Sequence, residues 1–227
     1  MAYVLGYIYA DGSLDDSPRI RARYFSINSI DESTIRNIRS VLGSEHTVVR
    51  LAPTSENRKE KFLLRIGSHG MYDDLEKLGL YPNKSLTMSF PKIPKEFLPD
   101  FVRGYFDGDG CAYLEMGKGV SREKIVKRLR VIFTSGSREF LEGLQDMISD
   151  SVDCAGKIYE SHRALQLVYG TKESMRIFVF LYRGANASLY LQRKFDVFLR
   201  YFKLRKKSID KEAQSVINWA NHGHVVK

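Results

Sequence analysis

Two cysteines, one tryptophan and six prolines stand in a chain of 227 residues. Cys111 and Cys154 are too few for a disulfide framework or a cysteine-built zinc site. That usage predicts a reducing, intracellular setting, cytoplasm or organelle, and not a secreted protein. The five histidines show no H-E-x-x-H spacing, which removes the familiar metalloprotease pattern. No apolar run approaches a membrane span; the longest without glycine, Ile177 to Tyr182, has six residues. The apolar start, Tyr3 to Ala10, lacks a basic stretch ahead of it and runs straight into Asp11-Gly12, so it does not read as a signal peptide. Acids are fewer than bases: 36 Lys and Arg against 27 Asp and Glu leave a net charge of +9. That excess favours a polyanionic partner, most often nucleic acid.

What is present includes an internal repeat. Residues 4–12 read V-L-G-Y-I-Y-A-D-G, and 98 positions later residues 102–110 read V-R-G-Y-F-D-G-D-G. Half of the six prolines, Pro91, Pro94 and Pro99, fall between the copies in a stretch that suits neither helix nor strand. Each copy is followed by alternating basic and apolar residues, Arg19 to Phe25 and Arg128 to Phe133. Next comes an amphipathic helical pattern, Ser33 to Leu42 or Ser137 to Ile148. A second strand and helix follow, Lys61 to Ile66 with Met71 to Leu78, and Ala164 to Tyr169 with Ser174 to Tyr182. The chain therefore reads as one α+β lobe present twice: residues 1–90, a Pro-rich linker 91–99, residues 100–203, and a C-terminal helix and tail 204–227.

Each repeated nonapeptide reads as a helix, with Asp100 expected to cap the second copy and Gly12 and Gly110 expected to stop both in a left-handed conformation. Gly6 and Ala10, like Gly104 and Gly108, are four apart and give each helix a face of small residues on which the two can approach closely. Asp11 and Asp109 then stand at helix C-termini, where the dipole disfavours a carboxylate by a few tenths of a kcal/mol or more, roughly. If the helices pack together, the two acids also repel one another. A lone Asp-Gly is ordinarily a turn, but two copies on matched helix ends call for a cation. Hard oxygen donors without Cys or His point to Mg²⁺, and a carboxylate-held metal beside a phosphate backbone is a phosphodiester-cleaving arrangement.

The two nonapeptides resemble the motif of the LAGLIDADG homing endonucleases in their single-chain, two-motif form, and the resemblance extends to about Tyr201. It implies an α+β fold of two pseudo-symmetric αββαββα lobes with saddle-shaped antiparallel sheets. It also implies a site-specific double-strand DNA endonuclease that cuts one strand per active site and leaves short 3′ overhangs. The implied metal ligands are Asp11 and Asp109, with the carbonyls of Ala10 and Gly108 as accessory donors. Mg²⁺ is the implied cofactor, with Mn²⁺ or Ca²⁺ able to substitute in binding. Tyr9 replaces the first acid that Asp107 keeps, at a position that varies in the family and does not ligate. Lys84 and Lys194 match the basic residue near each cleavage centre, where an ammonium stabilises charge growing on phosphate. Asn28 and Thr134, aligned at an offset of 106, are candidates to orient water.

Alternation puts Arg19, Arg21 and Arg23 on one strand face and Arg128 and Arg130 on its counterpart, suited to guanine edges and phosphates. Arg50, Arg58, Lys61 and Arg65 form a second basic group. The expected partner is double-stranded DNA with a long non-palindromic target, met by a monomer with no membrane association. The competing reading is an inert nucleic-acid binder on the same scaffold, an intron maturase or a transcription regulator, which loss of a motif acid would favour. Without an N-terminal Cys or Ser or a terminal His-Asn pair, the chain is expected to be free-standing, intron-encoded or the excised nuclease portion.

Overall fold

The computed structural model of the chain describes residues 1–17, 22–53, 55, 56, 58–118, 124–162, 164–205 and 209–222. Helix α1 (Ala2–Asp11) leads into strands β1 (Gly12–Ser17) and β2 (Ala22–Ser29), helix α2 (Glu32–Val41), strands β3 (Val48–Leu51) and β4 (Lys61–Gly67), and helix α3 (His69–Lys77). The order then repeats in α4 (Leu98–Asp109), β5 (Gly110–Lys118), β6 (Lys124–Ser135), α5 (Arg138–Val152), β7 (Lys157–Ser161), β8 (Ala164–Tyr169) and α6 (Thr171–Tyr182). Helices α7 (Gln192–Leu204) and α8 (Lys211–His222) follow. Each lobe holds a four-stranded antiparallel sheet, β1-β2-β4-β3 or β5-β6-β8-β7. The expected αββαββα unit is present twice. Among the described residues no helix is long and apolar enough to cross a membrane.

The helices form where the apolar spacing demands them. In α2 the buried residues Thr34, Ile35 and Ile38 share one side, and in α5 Phe140, Leu141, Leu144 and Ile148 do the same. Ser137 caps α5 by accepting from the Phe140 amide at 3.3 Å. One core runs through both lobes, because α1 and α4 pack directly on each other at its centre. A methyl group at Gly6 would run into the Phe101 carbonyl, and one at Gly104 into the Tyr3 carbonyl. The small-residue faces thus permit backbone-to-backbone contact, and tyrosine and phenylalanine side chains around them fill the core.

Three local expectations need correction. Asp100 does not cap α4: Phe97 is the N-cap, Pro99 sits in the first turn, and Asp100 instead pairs with the buried Arg103 at 2.5 Å. Gly12 (φ −88°) and Gly110 (φ −95°) are extended, not left-handed, and begin β1 and β5. Glycine is required there by space, since a Cβ would come 2.5 Å from the Ile8 carbonyl oxygen at Gly12 and equally close to that of Phe106 at Gly110. Arg23 is the third. It shares strand parity with the buried Phe25 and Ile27, bonds Asp16 at 3.1 Å and Asp73 of α3 at 2.8 Å, and lies over the Tyr72 ring. It therefore lies on the helix-covered side of its sheet, while Asn28 is on the other. Arg19 and Arg21 lie outside the described residues.

Candidate active site

Helices α1 and α4 end side by side, and their last residues are Asp11 and Asp109. A Cβ on Gly108 would collide with that of Ala10 and come 3.2 Å from a carboxylate oxygen of Asp11. The first lobe's acid therefore lies against the second lobe's motif. Burial, and after it the charge of Asp11, raise the Asp109 carboxyl to about 6 against the opposing pull of Lys194 and Lys84. Burial also raises Asp11, against the pull of Lys194, a hydrogen bond from Tyr7, and Lys61 and Lys84. Two carboxylates are thus drawn from water towards one another at the negative ends of two helices.

A buried lysine serves each motif end at the equivalent atom. Lys84, in a 3₁₀ turn spanning Lys84–Leu86, donates to the Gly12 carbonyl at 2.5 Å. Lys194, in the first turn of α7, donates to the Gly110 carbonyl at 2.6 Å. It also donates to the carbonyls of Phe106 at 2.6 Å, Asp107 at 2.8 Å and Gly108 at 3.4 Å. An ammonium at a helix C-terminus satisfies orphan carbonyls and offsets the dipole. Burial lowers Lys84, with Asp109 and then Asp11 opposing, and brings Lys194 down to about 8, with Asp107 opposing most strongly. Lys84 thus feels the opposite lobe's acid more than its own.

Asn28 and Thr134 occupy matching positions. Gly12 pairs with Ile27 and Gly110 with Phe133, so each polar residue stands one step beyond the partner of its motif glycine. Both are half-buried. Sequence reasoning passed over a further matched set: Tyr7 and Tyr105, each one helical turn before its acid and each beside a buried serine, Ser29 or Ser135, with the Tyr105 hydroxyl donating to the Thr134 carbonyl at 2.7 Å. The offset of 106 between the serines is the signal that could have found them. Asp107 and Tyr9 do not match. Asp107 is buried and accepts from the Tyr3 hydroxyl and the Leu191 amide, both at 2.9 Å, whereas Tyr9 donates to the Leu78 carbonyl.

Residues 96–181 match the family model described as a LAGLIDADG-like domain. Among solved structures, the chain is similar to the I-LtrWI LAGLIDADG homing endonuclease bound to target DNA, at 13% identity and a TM-score of 0.61, over 97% of this chain and 96% of that one. It is similar also to the meganuclease I-SmaMI bound to uncleaveable DNA, at 14% identity and a TM-score of 0.58, over 100% of this chain and 98% of that one. The chain has the two-lobed fold of these LAGLIDADG endonucleases. Curated relatives are a reverse gyrase of Methanocaldococcus jannaschii, 25% identical over 205 residues, and a probable translation initiation factor IF-2 of the same organism, 28% identical over 164 residues. They match 90% and 70% of this chain, which spans only 11% and 12% of their own lengths.

The carboxylates of Asp11 and Asp109 suit a hard divalent cation. Among the described residues no three His, Cys, Asp or Glu side chains come together as a metal site, so a cation there would meet the two acids and nearby main-chain carbonyls. Their raised pKa values mark a place where positive charge is wanted.

The helix-free sheet faces hold four of the other candidates. Lys61 and Arg65 lie on the first, Arg65 over the Tyr24 ring, while Arg50 is at the sheet edge on the opposite parity, paired with Glu60 at 2.5 Å. Arg58 is exposed in the preceding loop. Arg128 and Arg130 take the expected side of β6, away from the buried Leu129, Val131 and Phe133. Glu115 of β5 sits between them, 3.0 Å from Arg130 and 4.0 Å from Arg128.

Proposed function

We propose that this protein is a site-specific DNA endonuclease of the LAGLIDADG kind that hydrolyses one strand at each of two centres and leaves short 3′ overhangs. One observation carries the reading: Asp11 and Asp109 meet at the end of the lobe interface, and a buried lysine serves the equivalent carbonyl in each lobe. A carboxylate pair with raised pKa values in a chain of net charge +9 is ill suited to touching DNA unless a cation intervenes. Asp11 and Asp109, with the carbonyls of Ala10 and Gly108, are the residues that hold Mg²⁺ in this reading. The chemistry such an ion supplies is Lewis-acid polarisation of the phosphoryl group.

The chain's own groups do the rest. Lys84 and Lys194 supply positive charge that favours the phosphorane-like transition state over the ground state. Asn28 and Thr134 hydrogen-bond and orient the attacking water. Lys61, Arg65, Arg128 and Arg130 bind the duplex from the helix-free sheet faces, with Arg50 and Arg58 at the margin gripping backbone. The unlike pairs, Asn28 with Thr134 and Tyr9 with Asp107, make the halves unequal and suit a non-palindromic target. The inert-binder alternative loses ground because both motif acids are retained.

The test is selection of cleaved sequences from a randomised duplex library with Mg²⁺, followed by Asp11→Asn and Asp109→Asn on the selected target. Each variant is expected to bind the target and to lose double-strand cutting. Full cutting by either removes the metal assignment, and an uncleaved library removes the nuclease.

A further inference from the structure

The segment bearing each lysine is fastened to the lobe that does not own it. Residues 85–90, which follow Lys84, run across the start of α5 in the second lobe. The Ser85 carbonyl and the Leu86 side chain press on Gly136, where a Cβ would stand 2.6 Å from the one and 2.8 Å from the other. The Ser137 hydroxyl donates to the Met88 carbonyl at 2.6 Å, and the Ser89 hydroxyl donates to Glu139 at 2.7 Å. Phe90 lies against Gly143 and packs edge-on or tilted against Phe101 and Phe140.

The converse holds for Lys194. Its neighbour Arg193 bonds Asp31 of the first lobe through two nitrogens, at 3.1 and 3.2 Å, and Asn37 of α2 donates to the Ser188 carbonyl at 2.6 Å. Asp31 and Ser137 are the N-cap residues of the matched helices α2 and α5. The two fastenings are therefore the same exchange made twice, once in each direction.

We propose that the lysines are positioned across the lobe interface: Gly136 and Ser137 of the second lobe position Lys84, and Asp31 of the first positions Lys194. This rests on the reading of both lysines as groups of the cleavage centres. The lysines are unequally secured. Among the described residues Lys194 has four carbonyl acceptors of its own lobe, whereas Lys84 has the Gly12 carbonyl alone. Placement of Lys84 thus depends more heavily on the opposite lobe. A displacement of about 1 Å in such a group can cost about a hundredfold in rate.

Two variants and two measurements test it. Gly136→Ala inserts a methyl against the Ser85 carbonyl without requiring a change of backbone region, and Asp31→Asn removes an outer ion pair. Acylation of lysines by an amine-reactive ester, read by mass spectrometry on metal-free protein, reports how securely each ammonium is held. Gly136→Ala is expected to raise Lys84 labelling about tenfold, as a local overpacking cost of about 1.4 kcal/mol implies, with Lys194 unchanged. Asp31→Asn is expected to raise Lys194 labelling by about fivefold at most, the range of an exposed pair, with Lys84 unchanged.

Strand-resolved cleavage of the selected target gives the second readout, the strands being assigned with Lys84→Met. Each variant should slow the strand served by the lysine it displaces and spare the other. Equal labelling of both lysines, equal slowing of both strands, or an unaltered Lys84 in Gly136→Ala overturns the proposal. Should the unaltered protein cut no DNA, the nuclease reading falls and the labelling still decides the positioning.

Discussion

Replacing Asp109 with asparagine should make the protein more stable, provided no divalent metal is present. The folded carboxyl is held at about 6 against an ordinary 3.8, through burial and the neighbouring Asp11. Between those values the folded state keeps a proton that the unfolded chain has released, so stability falls as pH rises through this window. Above pH 7 the loss is complete, and the difference between 3.8 and about 6 corresponds to about 3 kcal/mol. Water entry and relaxation around a partly accessible group reduce the expected value to about 1–3 kcal/mol. Asparagine carries no charge and escapes this cost at every pH. Asp11 and Asp109 titrate as a pair, so the gain also includes relief of Asp11.

Urea unfolding of both proteins in EDTA, from pH 3.5 to pH 8, measures this directly. The curves should coincide near pH 3.5 and separate until the variant leads at pH 8. With a slope of about 3 kcal/mol per molar urea, the midpoint shift is about 0.3–1 M. Added Mg²⁺ should reverse the order, since a ligand at about 1,000 times its dissociation constant stabilises the unaltered protein by about 4.1 kcal/mol, more than the variant's advantage. A variant no more stable at pH 8 in EDTA, or an advantage that persists at pH 3.5, would refute the picture of a buried, mutually repelling carboxylate pair.

Other outcomes follow from the same geometry. Gly104→Ala should destabilise by about 2–4 kcal/mol in denaturant unfolding, because its methyl meets the Tyr3 carbonyl of the facing helix; the roughly 1 kcal/mol gain in helix propensity does not offset this. Arg128→Ala should weaken DNA binding and lower the slope of log K against log salt by about 0.9, measured by fluorescence anisotropy across a salt series. Arg23→Ala should leave that slope unchanged, since its guanidinium is committed to Asp16 and Asp73.

Much of the site could be read in advance because it repeats. The nonapeptides, 98 apart, and the pairing of Asn28 with Thr134, 106 apart, follow from offsets that a duplicated lobe preserves wherever its elements keep their length, whereas Lys84 and Lys194, 110 apart, came from the family resemblance. Local patterns were less secure. Alternation from Arg19 and Arg21 puts Arg23 on a DNA-facing side, but the parity of β2 is set by Phe25 and Ile27 entering the core, and Arg23 shares it. Gly12 and Gly110 looked like left-handed stops because glycine commonly is one; here the preceding helix turn leaves no room for a Cβ. Helix α7 has no counterpart among the described residues of the first lobe, yet a Lys in a 3₁₀ turn and a Lys in a helix deliver an ammonium to the equivalent carbonyl.

Periodicity, small-residue spacing and the doubled motif were enough to specify two like lobes, the helices that join them and the acids those helices must end on. These are properties of single segments, carried by residues within a few turns of each other. Which acids meet, which lysine faces which carboxylate, and which lobe fastens which segment depend on contacts between residues tens to more than a hundred positions apart. Asp107 and Tyr9 show the distinction well. They occupy one motif position, yet one is bound by Tyr3 of the other lobe and the start of α7, and the other by the end of α3. Folding alone brings those partners together, because the free energy that selects them comes from burial shared between distant parts of the chain.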